Sequence, residues 1–128
     1  PTTLRFHGSD RDAGAIAMSK ANADRAGIGA LCTFHAKTVS DLTPPDGPPG
    51  LVIVNPPYGM RIGERKPLFA LYGALGRTLQ DRFSGWRIGI IATDAGLAQA
   101  TGLPFLPPGP PVSHGGLKVS LYRTAPLP

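Results

Sequence analysis

The stretch Leu51–Glu64 reads LVIVNPPYGMRIGE. Four apolar residues run without a break into Asn55, Pro56, Pro57 and Tyr58. These residue types, in this order, suit one kind of reaction: alkylation of an amino nitrogen attached to a planar ring. The lone pair of such a nitrogen is delocalised into the ring, so it is a poor nucleophile. A site that alkylates it must accept hydrogen bonds from its N–H groups and hold it in line with the electrophile. Asn55 offers a side-chain carbonyl, and the backbone carbonyl of Pro56 offers a second acceptor close by. Neither proline has an N–H and each ring fixes φ, so both acceptors sit on stiff backbone. Tyr58 offers a flat face on which a base can stack, worth roughly 1–3 kcal/mol in single-stranded nucleic-acid systems. A base in a duplex must first be unstacked or flipped. Asn55, Pro56 and Tyr58 are therefore the candidate catalytic residues. The same stretch also reads as a rigid turn with Tyr58 at its rim. That reading explains the prolines but not the asparagine and tyrosine that flank them.

Gly8-Ser9-Asp10 is a second, weaker candidate. An acidic residue at the end of a strand in a nucleotide-binding sheet can accept hydrogen bonds from both ribose hydroxyls. The glycine would let the backbone turn there without a Cβ clash. The competing reading is that Asp10 and Asp12 only start the following helix. His7, His35 and His114 are scattered and suggest no metal cluster, and Cys32 is expected to pack in the core. Arg61, Arg65 and Lys66 follow the proline motif closely enough to meet phosphates near a target base, or they form a solvated loop.

These residues need elements to position them. Leu4–Gly8 reads as a strand, followed by a turn at Gly8-Ser9-Asp10. Asp12 can cap a helix running to about Arg25, with Ile16, Ala17 and Ala21 on one face and Gly27 ending it. Leu31–Ala36 reads as a second strand. Leu51–Val54 reads as a third, continuously apolar as a strand covered on both faces should be. Pro67 suits a first helical turn, and Leu68, Leu71, Tyr72, Leu75, Leu79 and Phe83 follow at spacings of three and four. Arg87–Ala92 is a fourth buried strand, and Thr93 and Asp94 open a short helix ending near Ala100. Leu117–Arg123 alternates and reads as a last strand, paired with Val112–His114 through Gly115-Gly116. Buried strands alternating with amphipathic helices predict an α/β layer fold with a largely parallel sheet and a closing antiparallel hairpin. Ligands of such sheets bind at the carboxyl ends of the strands. Asp10, Thr38, Asn55 and Asp94 all lie at or just after such ends and could share one cleft.

The 128 residues have the size of one domain. The formal net charge of +5 comes from thirteen Lys and Arg against eight acids. It is compatible with a polyanionic partner such as nucleic acid, or with an ordinary basic soluble domain. The single cysteine excludes an internal disulfide framework. No apolar run is long enough to span a bilayer and no signal-peptide pattern is present, so a cytoplasmic location is expected. Glycine (seventeen) and proline (fifteen) are both high, and nine of the prolines fall in Thr43–Gly50 and Leu103–Pro111, which read as loops within a domain.

The segments NPPYGMRIGE and GSDRDAGAIAMSKANADRAGI, with GALGRTLQDRFSGWRIGIIATD and the closing GGLKVSLYR, resemble the class I S-adenosylmethionine-dependent methyltransferases. More narrowly, they resemble the large-subunit ribosomal RNA guanine-N2 methyltransferases and RNA methylases that carry a THUMP domain. The resemblance covers nearly all of the chain and implies a Rossmann-like sheet with S-adenosylmethionine as cofactor. It implies that Asp10 binds the cofactor ribose, and that Asn55, Pro56 and Tyr58 form the target-base site, with Asn55 also bordering the cofactor. Pro57 and Arg61 join Tyr58 on the substrate side. Relatives often place an acidic residue after the third strand to meet the adenine amino group. Thr38 stands at that position here, with Asp41 three residues on. Asn-Pro-Pro-Tyr alone does not separate RNA guanine, DNA adenine or protein glutamine. Gly59, Arg61, Glu64 and the segment Phe83–Trp86 point to the RNA guanine group. The resemblance begins at the second strand of the family fold, without the first strand and its glycine-rich loop. The chain is thus expected to be the C-terminal part of one catalytic domain, which alone binds cofactor poorly. The strands at Leu4–Gly8 and Leu51–Val54 would then have unpaired edges, open to direct pairing, homo-oligomerisation or strand exchange. Adenine-N6 methylation of DNA, a noncatalytic nucleic-acid-binding fragment and an inert piece are the alternatives.

Overall fold

A computed structural model describes residues 2–58 and 65–128. Gly59, Arg61 and Glu64, named above beside the proline motif, lie outside the described residues. The chain forms two compact units, Pro1–Pro45 and Asp46–Pro128. Their boundary falls in the proline- and glycine-rich stretch Thr43–Gly50.

The first unit is a strand–helix–strand crossover. It comprises β1 (Phe6–Asp10), α1 (Ala13–Arg25) and β2 (Cys32–Ala36), with 3-10 turns at Gly29–Leu31 and Val39–Asp41. β1 and β2 pair in parallel from Phe6↔Cys32 to Asp10↔Ala36. The Asp12 carboxylate accepts the Gly14 N–H at 3.0 Å, so α1 starts on the expected side-chain cap. Gly27, at φ 75°, follows its end. Two expectations change. β1 starts later than Leu4 and continues through Asp10, so Gly8-Ser9-Asp10 is strand and not turn. Gly8 has a packing reason instead: a Cβ there would lie 2.7 Å from the ring of Phe34, its partner on β2. The inward face of α1 also differs, because Ile16 and Ala23 are buried while Ala17 and Ala21 are exposed. Alanine is small enough to be indifferent to which side of the stripe it occupies. Cys32 is half-buried.

The second unit contains β3 (Leu51–Val54), α2 (Arg65–Arg82), β4 (Arg87–Ala92), α3 (Ala95–Ala100), β5 (Val112–His114) and β6 (Leu117–Arg123). The sheet order is β3-β4-β6-β5. β3 runs parallel to β4, whereas β4–β6 and β6–β5 are antiparallel. The sheet is therefore mixed, not largely parallel, because the closing hairpin inserts its long strand directly beside β4. Gly115 and Gly116, at φ 55° and 82°, make the two-residue turn of that hairpin. β4 is the buried strand of the sheet, and Ile88, Ile90 and Ala92 are nearly inaccessible. α2 lays the expected apolar stripe over the core, burying Leu68, Tyr72, Leu75, Leu79 and then Phe83. The Ile88 N–H donates to the buried Thr124 hydroxyl at 3.0 Å, and the Thr124 N–H returns a bond to the Ile88 carbonyl. That exchange pins the end of the chain's last strand to β4.

β3 departs from its expectation. Leu51 and Ile53 are 58% and 57% exposed, so the strand is not covered on both faces. Among the described residues of its unit, its one strand neighbour is β4. No described helix is long and apolar enough to cross a membrane.

Candidate functional site

β3 ends at Val54, opposite Ile90 of the parallel neighbour β4. The chain then leaves the sheet through Asn55, Pro56, Pro57 and Tyr58. Pro56 is buried, Pro57 and Asn55 are exposed, and Tyr58 is half-buried. The Tyr58 hydroxyl donates to the Asn55 side-chain oxygen. That bond orients the amide, turning its carbonyl end toward the ring. A carbonyl oxygen carries two acceptor sites, so one remains for a further N–H donor. The tyrosine thus contributes a polar contact that the sequence reading did not assign to it.

The carboxyl end of β4 supplies the neighbouring side chains. Asp94 caps α3 by accepting the Leu97 N–H at 3.0 Å. Its other oxygen accepts the Arg65 guanidinium at 2.6 Å. Arg65 also lies over the Phe69 ring, 5.0 Å from its centroid. The Arg65 hydrogen bond, then the Leu97 N–H, hold the Asp94 carboxyl below the usual aspartate range despite its partial burial. Arg65, expected either to meet phosphate or to lie in a solvated loop, is thus engaged by a carboxylate on a different element. Lys66 is exposed, and Arg61 lies outside the described residues.

Below the motif stands Tyr72, fully buried among Leu68, Ala92 and Leu97. Its hydroxyl donates to the Pro57 carbonyl at 3.0 Å. Burial, followed by the nearby Tyr58 and Asp94, pushes its hydroxyl up to about 12. The sequence placed Tyr72 only on the apolar stripe of α2. Its partner is 15 residues away along the chain, and no local pattern marks the pair.

In the first unit, the three residues matched to a cofactor site come together at the carboxyl ends of β1 and β2. Asp10 is the last residue of β1, and its backbone carbonyl accepts the Lys37 N–H at 2.9 Å. Thr38 follows directly. One Asp10 carboxylate oxygen accepts the Asp12 N–H at 2.8 Å. The Thr38 hydroxyl donates to Asp41 at 3.0 Å, so those two side chains form one hydrogen-bonded group. Asp10, Thr38 and Asp41 are all exposed. The first unit thus holds one set of candidate residues and the second unit holds the other.

Residues 2–104 match the family UPF0020, described as RMKL-like, methyltransferase domain. The chain belongs to that family. Solved structures match over nearly its whole length. A possible methylase from Clostridium difficile 630 superposes with a TM-score of 0.84 at 23% identity, covering 99% of this chain and 33% of that one. SMU.472, described as a putative methyltransferase and solved as a complex with SAH, gives 0.85 at 25% identity, covering 96% and 32%. A predicted N6-adenine-specific DNA methylase from Listeria monocytogenes gives 0.74 at 27% identity, covering 91% and 29%. The chain therefore spans about a third of the length of these proteins. The Rossmann-like expectation is met at the level of the methyltransferase fold, and the sheet arrangement described above refines it.

Proposed function

We propose that the full-length protein transfers a methyl group from S-adenosylmethionine to the exocyclic N2 amine of guanine in ribosomal RNA. The observation that carries this reading is the exit from β3. An asparagine oxygen is held by the Tyr58 hydroxyl with one acceptor site to spare, beside a buried proline whose φ is fixed. Membership in a methyltransferase-domain family supports the reaction class. The related structure solved with SAH supports the donor. The donor supplies an electrophilic methyl group on a sulfonium centre.

The chain's own residues bind and orient. The exposed Asp10 carboxylate at the end of β1 suits the two ribose hydroxyls, and the Thr38–Asp41 pair suits the adenine edge. Asn55 accepts one N–H of the target amine, the Pro56 carbonyl accepts the other, and the Tyr58 face stacks on the base. Positioning and hydrogen-bond acceptance supply most of the rate. After attack the nitrogen is strongly acidic, so its proton can leave to solvent without a dedicated base. The resemblance of Arg61, Glu64 and Phe83–Trp86 to the RNA guanine enzymes supports the substrate.

A second reading is adenine-N6 methylation of DNA, which the description of the Listeria protein favours. Transfer of labelled methyl from S-adenosylmethionine to ribosomal RNA or to DNA, by the full-length protein, separates the two. Asn55→Ala should lower turnover by about a hundredfold or more while affinity for S-adenosylhomocysteine stays within a few-fold. An equal loss of both would remove Asn55 from the target-base site. RNA binding that is salt-sensitive, persists in Asn55→Ala and brings no methyl transfer would instead identify a noncatalytic binding module.

A further inference from the structure

The Asn-Pro-Pro-Tyr turn cannot be held in the usual way. Two of its four residues have no N–H to donate, so its carbonyls and side chains must carry the constraints. β3, paired with β4, leads directly into it. The Pro57 carbonyl finds its donor in the helix beneath, where the Tyr72 hydroxyl stands at 3.0 Å. Tyr72 has no exposed surface, and its ring is packed by Leu68, Ala92 and Leu97. The donor is thus fixed in place before any ligand arrives.

That bond reaches further than one carbonyl. The Pro57 carbonyl and the Tyr58 nitrogen belong to one planar peptide unit. Orienting the carbonyl orients the plane from which the Tyr58 Cα departs. It therefore helps to set where the Tyr58 ring stands, and the Tyr58 hydroxyl in turn orients the Asn55 amide. We propose that Tyr72 is a positioning residue: its hydroxyl, through the Pro57–Tyr58 peptide and Tyr58, aims the Asn55 oxygen at the target amine. Because its hydroxyl is pushed up to about 12, Tyr72 stays a donor throughout the range in which enzymes are assayed. The inference rests on the target-base reading of Asn55 and adds to it a residue that touches neither substrate nor cofactor.

Tyr72→Phe keeps the ring and its packing and removes the hydroxyl. In the full-length protein, kcat at saturating nucleic acid should fall roughly 10- to 100-fold, as for a small misplacement of reacting groups. The dissociation constant for S-adenosylhomocysteine should stay within twofold. Thr124→Val is the control. It removes a buried hydrogen bond of the same unit, from Ile88 at 3.0 Å, far from the motif in sequence and role. It should lower thermal stability while leaving kcat within about twofold. Wild-type kcat in Tyr72→Phe, or an equal fall in Thr124→Val, would overturn the positioning role.

A nuclear magnetic resonance measurement separates this failure from failure of the proposed function. The Asn55 side-chain amide signals should shift in Tyr72→Phe and not in Thr124→Val. If the wild type transfers methyl to neither RNA nor DNA, the functional reading falls. A shift confined to Tyr72→Phe would then still support the coupling of Tyr72 to Asn55, and unchanged Asn55 signals would overturn it.

Discussion

Gly76 gives the sharpest structural test of the frame around the site. It lies on α2 where α3 ends, and a Cβ built there would sit 1.8 Å from the Thr101 carbonyl oxygen. The obstacle is backbone, so no side-chain rotation relieves it. To reach ordinary contact, the end of α3 must retreat by about 1.5 Å, and a gap of even ~1 Å forfeits up to half of each dispersion contact it opens. That end is also tethered. The Thr101 hydroxyl donates to Ala98 at 2.7 Å and accepts from Leu103 at 3.2 Å, and Gln80 donates to the Gly102 carbonyl at 2.7 Å. Alanine in place of glycine improves helix propensity by about 1 kcal/mol. Overpacking costs about 1–3 kcal/mol or more, and loss of the Gln80 bond adds about 1 kcal/mol. The clash therefore wins, with a net cost of about 1–3 kcal/mol. Hydrogen exchange in the full-length protein reads this locally: α3 amides should exchange some 5- to 150-fold faster in Gly76→Ala. Gly73→Ala is the matched control, one turn away on the same helix. A Cβ there meets Arg77 and the Ala100 carbonyl at 3.5 and 3.6 Å, which is ordinary contact. The propensity gain should prevail at that position, slowing exchange by up to about fivefold. Wild-type protection in Gly76→Ala, or equal losses in the two variants, would refute the close-approach argument.

Asp94 and Tyr72 should leave opposite signatures in stability against pH. The Asp94 pKa is lowered in the fold, so its stabilisation is present above the ordinary aspartate range and is lost as pH falls through the depressed value. Asp94→Asn should keep the cap of α3 and flatten that acid limb in thermal unfolding, whereas Asp94→Ala should also lose about 1 kcal/mol of capping. Tyr72 is raised from 10.0 to about 12, so its contribution is complete below pH 10 and disappears as pH rises from there to about 12. Tyr72→Phe should lack that alkaline limb. Pro56 and Pro57 should also differ. Pro56→Ala empties buried volume and places a new N–H there, costing about 1–3 kcal/mol. Pro57→Ala, at an exposed position, should cost about 0.4–1 kcal/mol through the unfolded chain. Equal thermal shifts for the two prolines would count against burial of Pro56.

Periodicity and punctuation made much of this legible beforehand. The stripe from Leu68 to Phe83 repeats at three and four, and α2 and its end bury all of it except Leu71, which is half-buried. Asp12 and Asp94 are caps because a carboxylate before an apolar-periodic run has free N–H groups to meet. Gly115-Gly116 can take two positive φ angles in succession, and the hairpin turns there. The misreadings share a cause, which is that a short segment does not state its neighbours. Leu51–Val54 is apolar throughout, yet composition does not say what covers each face, and Leu51 and Ile53 are exposed among the described residues. Gly8-Ser9-Asp10 has the composition of a turn, and pairing with Phe34, His35 and Ala36 makes it strand. At the site, Asn55 and Tyr58 were visible as a motif because they are three residues apart. Tyr72 and the Arg65–Asp94 pair were not, because their partners lie 15 and 29 residues away.

The position of the motif explains why those distant contacts matter. β3 is paired with β4 and leads straight into two prolines, which have no N–H with which to continue the ladder. The constraint on the turn comes from below and from within. Pro56 is buried, Tyr72 holds the Pro57 carbonyl from the helix, and Tyr58 closes onto Asn55. Each of these works without a backbone N–H from either proline. The paired prolines and the buried tyrosine are thus complementary: the first remove donors and torsional freedom, and the second supplies one donor at the carbonyl that the prolines leave to be oriented. Stiffness at the acceptor depends on both, so loosening either should reduce the rate of a reaction that relies on aim before it reduces the stability of the fold.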